Sequence, residues 1–126
     1  MKRRFTKLLV MLIAIAGMNA ECIGVGSDLN IYAVKYGNSK FRNSFVFYGD
    51  KSGNSVPFCW LFYYVEYGKN KILIDTGFND QKMVKLFGIS DFRDPVVILK
   101  DNGIEADQIT DVIITHSHFD HIGNAL

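Results

Sequence analysis

Cysteine is scarce in this chain: only Cys22 and Cys59 occur among 126 residues, and no C-x-x-C pair is present. That excludes a zinc ribbon and leaves cysteine outside any expected ligand set. A disulfide between the two is permitted in an exported protein, although their spacing does not require one. Cys59, between Phe58 and Trp60, reads equally well as a buried free thiol. Internal repeats, low-complexity segments and linkers are missing as well, so residues 21–126 hold one small domain. No apolar run reaches the ~18–20 residues that a membrane-spanning helix needs. The longest, Leu8 through Gly17, follows Lys2, Arg3, Arg4 and Lys7 and precedes Ala20, a plausible cleavage residue. Residues 1–20 therefore read as a secretory signal peptide, with an uncleaved N-terminal anchor as the alternative, and an exported protein (periplasmic or secreted) is expected. Four of the 14 basic residues and none of the 13 acidic ones fall in residues 1–20, so the remainder carries an acidic excess of three. No basic patch remains to suggest nucleic acid.

Histidine is rare too, but its three copies are not scattered. His116, His118 and His121 lie in one six-residue window, in Thr115-His116-Ser117-His118-Phe119-Asp120-His121-Ile122-Gly123-Asn124. Neutral imidazole and carboxylate are the donors that suit zinc and similar divalent cations. Upstream, Asp111-Val112-Ile113-Ile114-Thr115 has the β-branched, apolar character of a short buried strand. A strand running into a tight ligand-bearing loop fixes several side chains at one place.

The H-x-H-x-D-H spacing resembles the signature of the metallo-β-lactamase superfamily of metal-dependent hydrolases. Lys71-Ile72-Leu73-Ile74-Asp75-Thr76-Gly77 is similar to the strand and D-T-G segment that precede that signature. The aromatic stretch Val56–Glu66 resembles the lactonase-like branch that includes the N-acyl-homoserine lactonases. The likeness covers roughly residues 28 to 124. It implies an α/β fold, the four-layer αββα sandwich, of which this chain would hold the N-terminal half. It further implies one or two zinc ions, or other divalent metals, with His116 and His118 directed at one and Asp120 and His121 at its neighbour. Asp120 would orient a water or accept its proton. Asp75, at a strand end, would support the ligand loop from behind; capping its own turn through Thr76 and Gly77 is the structural alternative.

Local signals outline the rest. Leu29–Tyr36 reads as a strand ended by Gly37-Asn38, and Phe41–Tyr48 as a second, followed by a turn-rich connection over 49–55. Cys59–Tyr67, Gly68-Lys69-Asn70 and Lys71–Asp75 read as a hairpin, its aromatics explained by cross-strand packing. Asp80–Phe87 is helical, with Gly88 as the stop. A second helix is capped by Asp94, starts at Pro95 and ends at Gly103, laying Val96, Val97 and Leu99–Lys100 on the sheet. Residues 106–109 form a short turn before the strand that delivers His116.

The expected activity is water attack on an ester, lactone or amide carbonyl of a small-molecule substrate. Members of the resembled family carry further ligands downstream of the signature, and these are not in this sequence. Four donors shared between two ions leave about two each, whereas catalytic zinc usually has three. The chain is accordingly expected to be a fragment of a hydrolase, or else an inactive metal-binding remnant, with one apolar sheet face left open. The D-T-G at 75–77 also matches an aspartic-protease active-site strand, but that chemistry needs two carboxylates. With no second D-T-G in the chain, only a homodimer would supply them.

Overall fold

The computed structural model describes residues 22–24 and 29–125; the expected signal peptide lies outside them. Five strands form one sheet in the order β1-β2-β3-β4-β5: β1 is Cys22–Gly24, β2 Leu29–Arg42, β3 Ser55–Tyr67, β4 Asn70–Ile74 and β5 Asp111–Ile113. The first four pair antiparallel and β5 joins β4 in parallel. Helices α1 (Asn43–Val46), α2 (Gln81–Leu86), α3 (Pro95–Asp101) and α4 (Phe119–Ile122) fill the connections. This is the expected α/β arrangement, one sheet with helices on one face. Among the described residues no helix is long and apolar enough to cross a membrane.

Alternation along the strands sorts the faces. Val34, Tyr36, Phe62, Tyr64 and Leu73 are buried, and Phe78, Ile89, Ile98 and Leu99 close over them from the connections. The aromatics do pair across strands, as Tyr32 stacks on Tyr64 with centroids 5.8 Å apart. They also join sheet to connections, as in Tyr36 against Phe78 at 5.7 Å. On the other face Tyr63, Tyr67 and Ile113 stand exposed while Val65 between the tyrosines is buried, so that apolar face is partly open among the described residues.

The hairpin β3–β4 turns through Gly68 at φ 59°. A glycine with positive φ at the first central position is what a two-residue II′ turn requires. Both helix starts follow their caps: Asp80 accepts from the Lys82 backbone N–H at 2.7 Å, and Asp94 from Val96 at 2.8 Å with Pro95 in the first turn.

Several expectations need correction. Gly37-Asn38 does not end a strand: the register shifts between Lys35 and Gly37, a bulge at Tyr36, and pairing resumes from Gly37↔Trp60 to Arg42↔Ser55. Asn38 then bonds Ser90 in both directions, at 3.0 and 2.8 Å, so the strand just past the bulge is tied to a loop. The strand expected over Phe41–Tyr48 stops at Arg42. Beyond it no partner strand is in reach, and Asn43–Val46 coil into one helical turn with Phe45 and Tyr48 exposed. In α3 the buried residues are Pro95, Ile98 and Leu99, while Val96 and Val97 face solvent, because the 3.6-residue period places them off the sheet-facing stripe. The strand before the histidines is exposed, not buried, as it forms the sheet edge. It ends at Ile113, whose carbonyl accepts the Asp75 N–H at 2.8 Å where the partner strand turns away.

Cys59 is an exposed free thiol, with its side chain on the open face. Cys22 lies opposite Tyr32 on β2 and Cys59 opposite Asn38. Six residues of strand separate those positions by about 20 Å, far beyond the ~7 Å between Cα atoms that a disulfide tolerates.

Candidate metal centre

The site is built where two loops leave neighbouring parallel strands. β4 hands over to Asp75-Thr76-Gly77, and β5 to 114–118 and the single turn α4. Asp75 has φ 62° and Gly77 φ 63°. Aspartate is among the few residues that tolerate this left-handed conformation. A side chain on Gly77 would meet the Pro95 ring at 2.7 Å, so the turn lies flat against the start of α3.

The two loops are then stitched together. Thr76 donates its N–H to the His121 carbonyl at 2.8 Å and its hydroxyl to the same oxygen at 3.0 Å. Asn124 donates its N–H to the Thr76 hydroxyl at 3.2 Å and its amide to the Thr76 carbonyl at 3.1 Å. Phe119 anchors the ligand segment in the aromatic core, with centroids 4.9 Å from Phe78 and 5.3 Å from Phe87. Gly123 permits close contact, because a Cβ there would sit 2.6 Å from the Phe119 carbonyl and 2.9 Å from that of Gly77.

Asp75 is buried and does not cap its own turn. Its carboxylate accepts the Thr115 backbone N–H at 2.8 Å, the Thr115 hydroxyl at 2.9 Å and the His121 Nδ1 at 2.6 Å. Burial pushes this carboxyl up, but the Thr115 N–H, the His121 ring and the Thr115 hydroxyl together hold it below the ordinary carboxylate value. Both carboxylate oxygens thus already accept hydrogen bonds from within the chain, Oδ1 from the Thr115 N–H and Oδ2 from the His121 ring.

The sequence-predicted donors are gathered, two and two. His116 Nε2 lies 3.1 Å from His118 Nδ1, and His121 Nε2 lies 3.3 Å from Asp120 Oδ2. The His116 and His121 rings are 3.8 Å apart between centroids, so the two pairs adjoin. Two nitrogens bound to one zinc at about 2.0–2.1 Å each are separated by roughly 3–3.4 Å. Each pair fits one edge of such a coordination sphere. Among the described residues, however, no three His, Cys, Asp or Glu side chains converge on one point that would hold a cation. His121 directs Nδ1 to Asp75 and turns Nε2 towards Asp120, the arrangement in which a carboxylate behind a histidine orients it for a metal.

Three contributors escaped the sequence reading. Thr115 and Thr76 carry the stitching just described, and neither has a local signal beyond its place beside the motif. Tyr36 is buried beneath α4, its hydroxyl 3.5 Å from the Asp120 carbonyl. Burial, then the charges of Asp120 and Asp75, push its phenol well above the ordinary value, so it stays protonated.

Comparison with known proteins bears on this geometry. The family model described as the metallo-beta-lactamase superfamily matches residues 60–126. No curated protein matches the chain. A solved quorum-quenching N-acyl homoserine lactone lactonase is similar at 28% identity and a TM-score of 0.62, over 75% of this chain and 40% of that one. AidC, a dizinc quorum-quenching lactonase solved with a product, N-hexnoyl-L-homoserine, is 22% identical with a TM-score of 0.61, over 86% and 40%. A probable metal-dependent hydrolase from Staphylococcus aureus is 22% identical at 0.59, over 75% and 39%. At 22% these last two show the fold alone. The chain spans about 40% of the length of the solved structures it resembles.

Proposed function

Because the chain belongs to the metallo-beta-lactamase superfamily, we propose that it serves a metal-dependent hydrolase acting on an ester, lactone or amide carbonyl. The observation that carries this is the pairing of His116 with His118 and of Asp120 with His121 at adjoining rings, backed by Asp75. His116 and His118 would hold one ion, and Asp120 and His121 a neighbouring one, with zinc the first candidate. When bound, the cation supplies the Lewis acidity that brings a water towards neutral pKa and polarises the carbonyl under attack.

The residues of this chain do the positioning. His121, locked by Asp75, presents Nε2 rather than Nδ1. Asp120, with a side chain 20% exposed, is the carboxylate placed to orient the attacking water and take its proton. Tyr36 and Phe119 hold the backbone on which Asp120 rides. Lactones head the substrate classes, on the aromatic stretch of β3 and the likeness to the lactonase at 28% identity. Export remains our reading of residues 1–20, on their basic start and apolar run.

The test is a panel of lactones, esters and amides offered to the protein with zinc, after chelation, and after zinc is restored. Turnover that disappears with the chelator, returns with zinc, and is lost in Asp120→Asn is expected. Turnover indifferent to chelation would overturn the proposal. The arrangement of donors two and two favours a second reading, a metal-binding chain without catalysis. Stoichiometric zinc binding with no turnover anywhere on the panel would select it.

A further inference from the structure

We propose that Thr115 is a positioning residue whose single hydroxyl fixes the tautomer of His116, leaving its Nε2 bare, and steadies the Asp75 oxygen that takes the Nδ1 proton of His121. The inference rests on the metal-binding reading of these histidines. Thr115 Oγ1 has four neighbours within bonding distance: Asp75 Oδ1 and Oδ2, each at 2.9 Å, His116 Nδ1 at 3.1 Å and His121 Nδ1 at 3.2 Å.

A hydroxyl has one proton to give and two lone pairs to receive with. The carboxylate is charged and nearer, and charge-assisted hydrogen bonds are roughly twice as strong as neutral ones. The Thr115 proton therefore goes to Asp75. His116 Nδ1 then faces an oxygen with no proton to offer, so it must itself be the donor. Its Nε2 is left bare, 3.1 Å from His118 Nδ1, where a His118 N–H satisfies it in the metal-free protein and a cation replaces that proton when bound. His121 Nδ1 lies closer to Asp75, at 2.6 Å, than to Thr115, so its proton goes to that carboxylate, while its Nε2 faces Asp120 Oδ2 at 3.3 Å. The Asp75 oxygen that receives His121 is held in place by the Thr115 hydroxyl and, on its other oxygen, by the Thr115 N–H.

Without the hydroxyl, His116 Nδ1 has no donor role left. Its proton then moves to Nε2, where it bonds His118 Nδ1 and blocks the nitrogen meant for the metal. The experiment reads this directly, by long-range ¹H–¹⁵N correlation of the imidazole rings in the metal-free full chain at about pH 8, above the ordinary histidine pKa of ≈ 6.5. With three histidines in the chain, three ring systems are observed. The wild type is expected to carry the His116 proton on Nδ1, Thr115→Val to carry it on Nε2, and Thr115→Ser to restore Nδ1. Zinc affinity by chelator competition should fall about 10- to 100-fold in Thr115→Val, the range for partners behind a metal ligand, and return in Thr115→Ser. A wild-type His116 protonated on Nε2 overturns the proposal whatever the variants do, and so does an unchanged tautomer in a folded Thr115→Val. The tautomers are read without metal or substrate, so absence of turnover on the substrate panel would sink the hydrolase reading and leave this result standing.

Discussion

Replacing Gly123 by alanine sets two effects of opposite sign against each other. Gly123 follows α4 with φ −61° and ψ −24°, ordinary helical values at which alanine is the better residue. Reduced freedom of the unfolded chain would stabilise Gly123→Ala by about 0.4–1 kcal/mol. Against this, the added Cβ would lie 2.5 Å from Phe78 Cβ, 2.6 Å from the Phe119 carbonyl oxygen and 2.9 Å from that of Gly77. Overpacking typically costs about 1–3 kcal/mol. Two of these three contacts are backbone oxygens that cannot rotate aside, which places the cost in the upper part of that range. The net expectation is a loss of about 2 kcal/mol, or roughly 8–16 °C in Tm for a domain of this size. Relief of the clash must separate Gly77 from the 119–124 segment and so loosen the bonds between Thr76 and the His121 carbonyl. Zinc affinity should therefore fall together with stability. Thermal unfolding followed by circular dichroism, with and without zinc, measures both. A Tm equal to or above that of the parent would mean that propensity wins, and that the two motif loops are not in the close contact described.

Three further outcomes are expected. Phe119→Ala should cost about 2–4 kcal/mol in urea unfolding, somewhat under the ~3–5 kcal/mol of a fully buried phenylalanine, since the ring is only partly buried; a loss below ~1 kcal/mol would refute its anchoring role. Asp75→Asn keeps the shape but replaces one acceptor oxygen by a donor facing His121, so a loss of about 2–3 kcal/mol and weakened zinc binding are expected. Wild-type stability and zinc affinity in that variant would count against the stitching of the two loops. Cys59 should be fully alkylated without reductant, but more slowly than free cysteine at the same pH, because partial burial raises its thiol pKa and lowers the thiolate fraction; a Cys22–Cys59 peptide in mass spectrometry would contradict the β1–β2–β3 register.

Much of this was readable in the sequence wherever the cause is local. A cap acts on an amide two residues ahead, so Asp94 marked its helix correctly, while Asp80, read as the first helical residue, proves to be the cap. The glycine at the head of the β3–β4 turn announced the hairpin. Gly37 misled, since a glycine can end a strand or lie within one, and here the strand runs on through it, paired with Trp60 and held at Asn38 by Ser90 from 52 residues away. Val96 and Val97 misled for the same kind of reason: apolar character does not say which side of a short helix meets the sheet.

The sequence alone determined the chemistry on offer, because imidazoles and a carboxylate packed into six residues cannot stray far from one another. The tertiary structure decided how those groups are aimed. Asp75 reaches Thr115 and His121 only because β4 and β5 lie side by side in parallel and release their loops at the same end of the sheet. That choice of partner is made by strand pairing over some forty residues of intervening chain, and no local pattern encodes it.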